Sequence, residues 1–421
     1  MTSIPFVTDL WSKVEGAPED AILALSANYA KDTNPNKANL GVGAYRDENG
    51  KPWILPAVQK AKEQLVKDPS ANHEYLPIPG FQPFLDLSAR LMFGEDAKVI
   101  KEGRLVTNQT ISGSGANHVG ARFLVENYPF PAEKCIYLSD PTWPNHYAIH
   151  ETAGFKTKTY RYYNPETRQL NFDGMYEDLM NMPDGSVVLL HAVAHNPTGV
   201  DPTEEQWRKI ADVFAKKRLF AFFDSAYQGF ASGEPARDAF SVRHFEERGD
   251  IAMLVAQSFA KNAGLYGERI GALHIVTGSK EQAANVQSQV NVLQRSENST
   301  MPAYGARIVA KILGEPDLRA EWDSNIKTMA GRIMDMRQAL CDLLTNEFKT
   351  PGTWNHIVDQ IGMFSYLGLD KEQCQRLTKE GHIYLMLTGR VSMAGFNSSN
   401  VKHVATWIDK VVREKETKAK V

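Results

Sequence analysis

The chain has 421 residues, of which 43% are hydrophobic and 23% charged, a balance typical of a globular protein of two or three domains. Its 47 basic and 50 acidic side chains give a formal net charge of −3, which disfavours a nucleic-acid-binding protein and an acidic disordered tail. Cys135, Cys341 and Cys374 lie far apart without a CxxC pair, so we expect neither a disulfide scaffold nor a thiolate zinc site.

Two features of the sequence favour the cytoplasm. The longest apolar runs are far shorter than the roughly 20 residues that a membrane helix needs. The first residues, MTSIPFVTDLW, reach Asp9 early and contain neither a basic region followed by an apolar run nor an Arg-rich presequence. We therefore expect a cytoplasmic protein.

The first half of the chain changes from a polar arm to alternating strands and helices. Residues 1–50 are rich in Pro, Asn and Asp and predict an arm with a short helix. Helical spacing is found at residues 55–66, 81–93, 116–126, 147–153, 175–180 and 204–217, and a small-residue loop is predicted at 109–116. Short apolar runs that predict buried strands lie at 135–138, 187–192, 219–223, 253–256 and 272–276. This alternation predicts an α/β fold with a mostly parallel sheet that helices cover on both faces.

The last part of the chain is mainly helical. Residues 280–348 predict helix almost throughout, and further helices are expected at 371–379 and 401–412, with strands at 363–367 and 384–387. We expect an N-terminal arm and the start of a small domain at 1–50, a large domain at 51–325, and the rest of the small domain at 326–421.

Polar side chains follow four of the predicted strands. They occur in Asp140-Pro-Thr-Trp143, His195-Asn-Pro-Thr-Gly199, Asp224-Ser-Ala-Tyr227 and Ser258-Phe-Ala-Lys261. Because ligands bind beyond the carboxyl ends of the strands in an open parallel sheet, these segments predict one site with an indole, an amide, a carboxylate, a phenol and an amine. The segment Ser112-Gly-Ser-Gly115 adds the start of a helix, whose free N–H groups suit a phosphate.

Several ligands could use such a rim. A dinucleotide-binding dehydrogenase is suggested by Gly113-x-Gly115, but the third glycine of that fingerprint is replaced by His118. His191 and His195 are four residues apart, yet they run off a strand and lack the Glu of HExxH, so we expect no metal. Pyridoxal phosphate fits better, because it needs a lysine for a Schiff base and an acid for its ring nitrogen.

The motifs resemble a known family. The stretch SFAKNAGLYGERIG at 258–271 resembles the lysine signature of class I aminotransferases, and NPTG at 196–199 and DSAY at 224–227 resemble their cofactor motifs. The segments NLGVGAYR (39–46), HEYLP (73–77), SDPTW (139–143) and GR (389–390) are similar, in order, to the eukaryotic aspartate-specific branch. The resemblance runs from about residue 5 to about 415.

The resemblance implies a pyridoxal-phosphate enzyme of fold type I that works as a homodimer. It implies amino transfer between L-aspartate and 2-oxoglutarate, giving oxaloacetate and L-glutamate. An aromatic-preferring aminotransferase of the same fold is the alternative, and a non-catalytic protein that kept the fold is a second one. After Arg295 the sequence reads Ser299-Thr-Met-Pro302 where the family has Ser-Asn-Pro-Pro or close to it, which leaves the side-substrate range open.

The same resemblance implies roles for individual residues. Lys261 would join the cofactor aldehyde and then carry the substrate proton, Asp224 would pair with the ring nitrogen, and Trp143 would stack on the ring. The remaining cofactor contacts would come from Asn196 and Tyr227 at the phenolic oxygen, and from Ser112, Gly113, Ser114, Ser258, Arg269 and Tyr75 of the partner subunit at the phosphate. His146 would brace Asp224 from behind, with His191 nearby. The substrate contacts would come from Gly43, Trp143, Asn196, Arg390 and Arg295 of the partner subunit, with Phe364 close by. Pro141 and Pro197 resemble prolines that are cis in the family.

Overall fold

A seven-stranded sheet lies at the centre of the protein, whose computed structural model describes residues 11–419 and the side chains of residues 11–415. The strands of the chain are β1 (Ala38–Asn39), β2 (Leu105–Ile111), β3 (Cys135–Asp140), β4 (Lys156–Arg161), β5 (Tyr163–Asn164), β6 (Gln169–Leu170), β7 (Val187–His191), β8 (Phe220–Ser225), β9 (Met253–Ser258), β10 (Ile270–Val276), β11 (Phe364–Tyr366), β12 (Ile383–Tyr384) and β13 (Arg390–Ser392). The central sheet has the order β2-β10-β9-β8-β7-β3-β4. All neighbours in it are parallel except β10, which is antiparallel to both β2 and β9. The predicted, mostly parallel sheet is therefore confirmed.

The helices flank this sheet and form most of the C-terminal part. They are α1 (Ala21–Lys31), α2 (Pro56–Lys67), α3 (Gln82–Phe93), α4 (Lys98–Lys101), α5 (Ser112–Asn127), α6 (Asn145–Ala153), α7 (Phe172–Asn181), α8 (Glu204–Lys217), α9 (Pro235–Asp238), α10 (Phe240–Arg248), α11 (Lys280–Glu297), α12 (Ala303–Gly314), α13 (Pro316–Asp342), α14 (His356–Asp359), α15 (Lys371–Lys379) and α16 (Val401–Ala419). A π-helical turn (Leu343–Glu347) follows α13, and a 3₁₀ turn (Met393–Gly395) follows β13. Among the described residues, no helix is long and apolar enough to cross a membrane.

The continuous apolar runs of the inner strands follow from burial on both faces. In β8, Phe222 packs in the cluster that includes Phe123 of α5, whereas Phe223 packs in the opposite cluster with Phe214 of α8 and Phe245 of α10. Successive side chains of a strand point to opposite faces, so a strand between two helical layers needs an apolar residue at every position. Each fully buried phenylalanine contributes about 1.5–3 kcal/mol of transfer free energy.

Local signals explain where the flanking helices begin. Helix α8 begins at Glu204 because the Thr203 side chain accepts a hydrogen bond from the Gln206 N–H, while the Gln206 side chain accepts one from the Thr203 N–H. Glu204 and Glu205 in its first turn and two lysines in its last turn complement the helix dipole.

The two ends of the chain meet in the smaller part of the molecule. Strand β1 pairs in parallel with β12, with Ala38 opposite Ile383. Leu40 from the first fifty residues and Ile408 from α16 belong to one buried cluster. The domain boundaries at residues 50 and 325 stay a prediction, and the N-terminal segment on which the targeting argument rests, residues 1–10, lies outside the described residues.

The structure corrects three local predictions. Residues 109–116 are not a loop, since β2 continues to Ile111 and α5 begins at Ser112. Strand β4 was missed because it is an edge strand in which Tyr160 alone is buried, so its sequence lacks an apolar pattern. The strand predicted at 384–387 is limited to Ile383–Tyr384.

Candidate active site

A cavity of about 270 Å³ opens at the carboxyl ends of the parallel strands. The predicted site residues that line it are Gly43, Ser112, Gly113, Ser114, Trp143, His191, Asn196, Asp224, Tyr227, Ser258, Lys261, Arg269, Phe364 and Arg390. The sheet explains this assembly, because the ends of β7, β8 and β9 lie side by side and their following residues meet at one edge.

Lys261 lies in the turn between β9 and β10, with its amine directed into the cavity. Burial lowers the pKa of this amine, the carboxylate of Asp224 opposes the shift, and the Arg269 guanidinium lowers the pKa further. Lys261 Nζ also lies 5.2 Å from the centre of the Tyr227 ring. A buried lysine with a lowered pKa can serve as a nucleophile or a base near neutral pH, which a solvated lysine does poorly.

Asp224 is a buried carboxylate that two side chains hold. His146 Nε2 lies 3.1 Å from Asp224 Oδ2, and Asn117 Nδ2 donates to Asp224 Oδ1 at 3.3 Å. Burial alone would raise the pKa of Asp224, but the hydrogen bond from His146 and the nearby positive charges bring it below its usual value. The carboxylate is thus ionised at neutral pH and can stabilise a cation in the cavity.

A chain of hydrogen bonds fixes the ring of His146. Thr142 Oγ1 lies 2.8 Å from His146 Nδ1 and 3.1 Å from His191 Nε2. Because the Asp224 carboxylate can only accept, His146 Nε2 carries a proton and donates it, while the Thr142 hydroxyl joins His146 Nδ1 to His191 Nε2. Burial lowers the pKa of His191 to about 3, so that ring is neutral.

The first turn of α5 forms a cradle for an anion. Ser112 has a left-handed backbone (φ 59°), and its hydroxyl lies 3.1 Å from that of Ser258. A Cβ on Gly113 would come within 3.1 Å of Ser258 Cβ, so a glycine lets the backbone approach closely. Arg269 lines the same cavity, and its backbone carbonyl accepts a hydrogen bond from the Ser112 N–H at 3.2 Å. Free N–H groups at a helix start together with one guanidinium match a phosphate.

The opposite wall carries an amide and a phenol. The buried Asn196 Oδ1 has no hydrogen-bond partner among the described residues, although it lines the cavity. Burial raises the pKa of Tyr227, so its hydroxyl keeps its proton and can donate it in a hydrogen bond. The peptide bonds before Pro141 and Pro197 are both cis, as the resemblance implied.

Arg390 provides a buried cation at the substrate end. Its side chain donates to the carbonyl of Gly41 at 2.7 Å and stacks 4.4 Å from the centre of the Phe364 ring. Arg390 Nε has no partner, and no described carboxylate pairs with this guanidinium. A Cβ on Gly43 would lie 2.9 Å from the Phe364 ring, so bulk there would crowd this end. A carboxylate from outside can therefore complete the pairing of Arg390.

Tyr75 and Arg295 do not line this cavity. Tyr75 is 83% exposed and lies in a separate groove beside α2 and α12. Arg295 is exposed on α11, where its guanidinium donates to the Ser299 hydroxyl. Neither residue reaches the cavity of its own chain. They could therefore contribute to a cavity only from a partner subunit, as the sequence analysis predicts.

Sequence reasoning missed two residues that hold the site. Asn117 binds Asp224 from α5, and Thr142 joins the two histidines. Asn117 also donates to the carbonyl of Gly113, one helical turn earlier. Helical spacing from Gly113 could have placed Asn117 on the cavity face, whereas nothing in the sequence indicated the contact of Thr142.

Comparison with known proteins identifies the family. Residues 35–408 match the family "Aminotransferase class I and II", and the chain belongs to this family. It is 52% identical over 396 residues to aspartate aminotransferase 1 of Medicago sativa, covering 94% of each chain. Curated aspartate aminotransferases described as cytoplasmic and as mitochondrial are both among its relatives.

Solved structures share the fold over the whole length. The aspartate aminotransferase from Saccharomyces cerevisiae cytoplasm superposes with a TM-score of 0.94 at 44% identity, covering 97% of this chain and 99% of that one. The aromatic-amino-acid aminotransferase from Burkholderia pseudomallei, covalently bound to pyridoxal phosphate, has a TM-score of 0.92 at 41% identity, covering 96% and 99%. The fold is thus that of the pyridoxal-phosphate enzymes of fold type I.

The residues present fit pyridoxal phosphate, the cofactor of this family. The cavity offers a buried amine for its aldehyde, an ionised carboxylate for its ring nitrogen and a cradle for its phosphate. Asn196 lines the same cavity, and its buried Oδ1 has no hydrogen-bond partner among the described residues, which leaves its amide available to a ligand.

Proposed function

We propose that this aminotransferase moves the amino group of L-aspartate to 2-oxoglutarate and so forms oxaloacetate and L-glutamate. The observation that carries the proposal is one cavity in which the Lys261 amine, the Asp224 carboxylate and the guanidinium of Arg390 meet. Relatives about 50% identical over most of the chain are aspartate aminotransferases, which supports the choice of substrate. Pyridoxal phosphate, when bound, supplies a carbonyl for the amino group and a ring that takes up electrons from the substrate α-carbon.

Lys261 is proposed to hold the cofactor and to move protons. Its lowered pKa keeps a fraction of the amine neutral at physiological pH, and a neutral amine can take a proton from the substrate α-carbon. The same nitrogen can then deliver the proton to another carbon of the bound molecules.

Asp224 is proposed to keep a positive charge on the cofactor ring. His146 and Asn117 hold both carboxylate oxygens, so the charge is fixed in place before a ligand arrives. Asn196 and Tyr227 would donate to the cofactor's oxygen, Trp143 would cover the ring, and the cradle would hold the phosphate through Ser112, Gly113, Ser114, Ser258 and Arg269.

Substrate choice is proposed to depend on two arginines. Arg390 would bind the α-carboxylate, because a fork of N–H donors matches a carboxylate. Arg295 of the partner subunit would bind the side-chain carboxylate, and Tyr75 of the partner subunit would reach the phosphate. A pocket with an unpaired arginine binds a substrate without a second acid poorly. This proposal requires a homodimer.

Two broader features complete the proposal. The arm with the start of a small domain at 1–50, a large cofactor-binding domain at 51–325 and the remainder of the small domain at 326–421 form each subunit. The protein works in the cytoplasm, which fractionation of cells that carry a tagged chain would test.

The direct test is turnover with purified protein. Aspartate and 2-oxoglutarate are incubated with the protein and pyridoxal phosphate, and glutamate and oxaloacetate are measured against a cofactor-only control. Glutamate above that control supports the proposal, and none contradicts it. Faster turnover of tyrosine than of aspartate would instead favour an aromatic-preferring enzyme.

A further inference from the structure

Three buried amide residues stand directly beside three residues of the site. Gln228 follows Tyr227, Gln257 precedes Ser258, and Asn262 follows Lys261. All three amide residues are at most 1% exposed. Since neighbouring side chains of a strand point to opposite faces, Gln257 extends away from the cavity that Ser258 lines.

The hydrogen bonds of Gln228 fix the orientation of its amide. Its Nε2 donates to the carbonyl of Leu91 at 3.2 Å and to that of Pro235 at 3.0 Å. Both partners can only accept, so the other amide atom, Oε1, must be the acceptor. Gln257 Nε2 donates to this oxygen at 3.1 Å, which fixes the second amide in turn.

The same reasoning extends across neighbouring strands to β10 and β2. Gln257 Oε1 must accept, and His274 Nε2 lies 2.9 Å from it, so this ring nitrogen carries the proton. His274 Nδ1 then accepts from the Thr107 hydroxyl at 3.0 Å. Burial lowers the pKa of His274 to about 3, which keeps the ring neutral. We name Thr107, His274, Gln257 and Gln228 the amide chain, in which every donor points the same way.

The amide chain connects the elements that carry the reactive groups. It passes from β2 through β10 and β9 to the residue after Tyr227. Asn262 Nδ2 donates to the carbonyl of Gln228 at 3.3 Å, and this bond ties the turn of Lys261 to the same residue. Tyr227 and Lys261 are therefore held relative to each other from behind.

Packing alone does not require polar residues here. Buried amides cost free energy unless every group is paired, and apolar side chains of similar size would fill the space without that requirement. The amides of Gln228 and Gln257, whose nitrogen and oxygen atoms all have partners, instead specify direction and distance. They also add no charge behind the cavity, where the ionised Asp224 and the amine of Lys261 determine the chemistry.

We propose that Gln228 and Gln257 are positioning residues that set the Tyr227 hydroxyl and the Lys261 amine against the bound cofactor. This inference rests on the proposed function. If Tyr227 donates to the cofactor oxygen, it stabilises the negative charge there and lowers the pKa of the neighbouring protonated nitrogen, whose protonated form absorbs in the visible range. When the amide chain is lost, the Tyr227 hydroxyl is no longer held in place and this hydrogen bond weakens. The pH at which half of the visible band is lost then rises.

The test compares four variants of the loaded enzyme. Gln257→Met and Gln228→Met break the amide chain, while Gln373→Met removes a buried glutamine that caps α15 far from the cavity and serves as the matched control. For each protein the visible band is titrated with pH, kcat and KM for aspartate are measured, and Tm is recorded. Thr107→Val, which removes one hydroxyl at the far end, covers the case in which a glutamine variant does not fold.

We expect the pH midpoint of the visible band to rise by about 0.5 unit or more in Gln257→Met and in Gln228→Met, with a smaller rise for Thr107→Val. We expect kcat to fall about tenfold while KM changes less than about threefold, since positioning acts on the reacting atoms. Gln373→Met should lower Tm without moving the midpoint. The inference would be overturned if Gln257→Met and Gln228→Met lowered Tm but kept the wild-type pH midpoint and kcat. If the wild type turns over no amino acid, the proposed function fails, while the band titration still tests the amide chain.

Discussion

The two ends of the cavity are built in different ways. At the cofactor end, Asp224 is held by His146 and Asn117 within one chain, and the anion cradle is formed by adjoining turns. At the proposed substrate end, Arg390 is buried and has no carboxylate partner among the described residues, while Arg295 lies exposed elsewhere on the same chain. The groups proposed for the chemistry are thus held within one chain, whereas the proposed choice of substrate would need a second copy of the chain to bring Arg295 to the cavity.

The largest expected effect is at the cofactor end. Lys261→Ala removes the only amine proposed to carry the proton, so we expect kcat to fall by about 10⁴-fold, at the upper end for proton transfer. A coupled assay for oxaloacetate measures it. Lys402→Ala, which changes an exposed lysine paired with Glu347, is the control and should retain activity. A Lys261→Ala enzyme within tenfold of wild type would show that another group moves the proton.

A second change keeps the shape of the cofactor end and removes its charge. Asp224→Asn leaves an amide of the same size beside His146, and we expect kcat to fall about 10²- to 10³-fold, as for loss of a preorganised electrostatic contact. Single-turnover kinetics of the loaded enzyme measure it, with the exposed Asp212→Asn as control. A loss below threefold would mean that the charge on Asp224 is not needed.

The substrate end should respond selectively. Arg295→Asp places an acid where the side-chain carboxylate of aspartate is proposed to bind, and we expect kcat/KM for aspartate to fall about 100-fold. Turnover of tyrosine should change less than about threefold. Lys280→Asp makes the same charge reversal at the start of α11 and controls for net charge. Equal losses for both substrates would refute the role of Arg295.

The smallest effect concerns the pH dependence of the cofactor end. Burial raises the pKa of Asp224, and the hydrogen bond from His146 is the main interaction that lowers it. In His146→Asn this pKa should rise, so the acid-side loss of kcat/KM should begin about one pH unit higher, with little change above pH 8. A pH profile of both proteins measures the shift, and identical profiles would show that His146 does not tune Asp224.

The sequence allowed much of the fold to be predicted, and the exceptions have physical causes. The inner strands β7, β8 and β9 are apolar at nearly every position because helices cover both faces, so they were recognisable. Strand β4 has one covered face at the edge of the sheet, and its polar sequence resembles a loop. The end of β2 was hidden by the small residues that begin α5.

The site was predictable where residues follow strands and not where contacts cross between elements. Asp224 lies at the end of β8, and Asn196 and Lys261 follow β7 and β9, so their convergence could be inferred from the topology. The contact from Asn117 to Asp224 joins a helix to a strand more than one hundred residues later, and no local pattern encodes such a pair. The roles of Tyr75 and Arg295 came from the family resemblance alone.

The antiparallel direction of β10 determines where two cationic residues of the site lie in the chain. An antiparallel strand starts at the edge where its parallel neighbours stop, so the residues that lead into β10 stand level with those that leave β9. The amine at 261 and the guanidinium at 269 consequently share the single connection between β9 and β10, residues 259–269, and line one cavity. Had this strand run the other way, a crossover helix would have been needed, and the two cations would stand at opposite borders of the sheet.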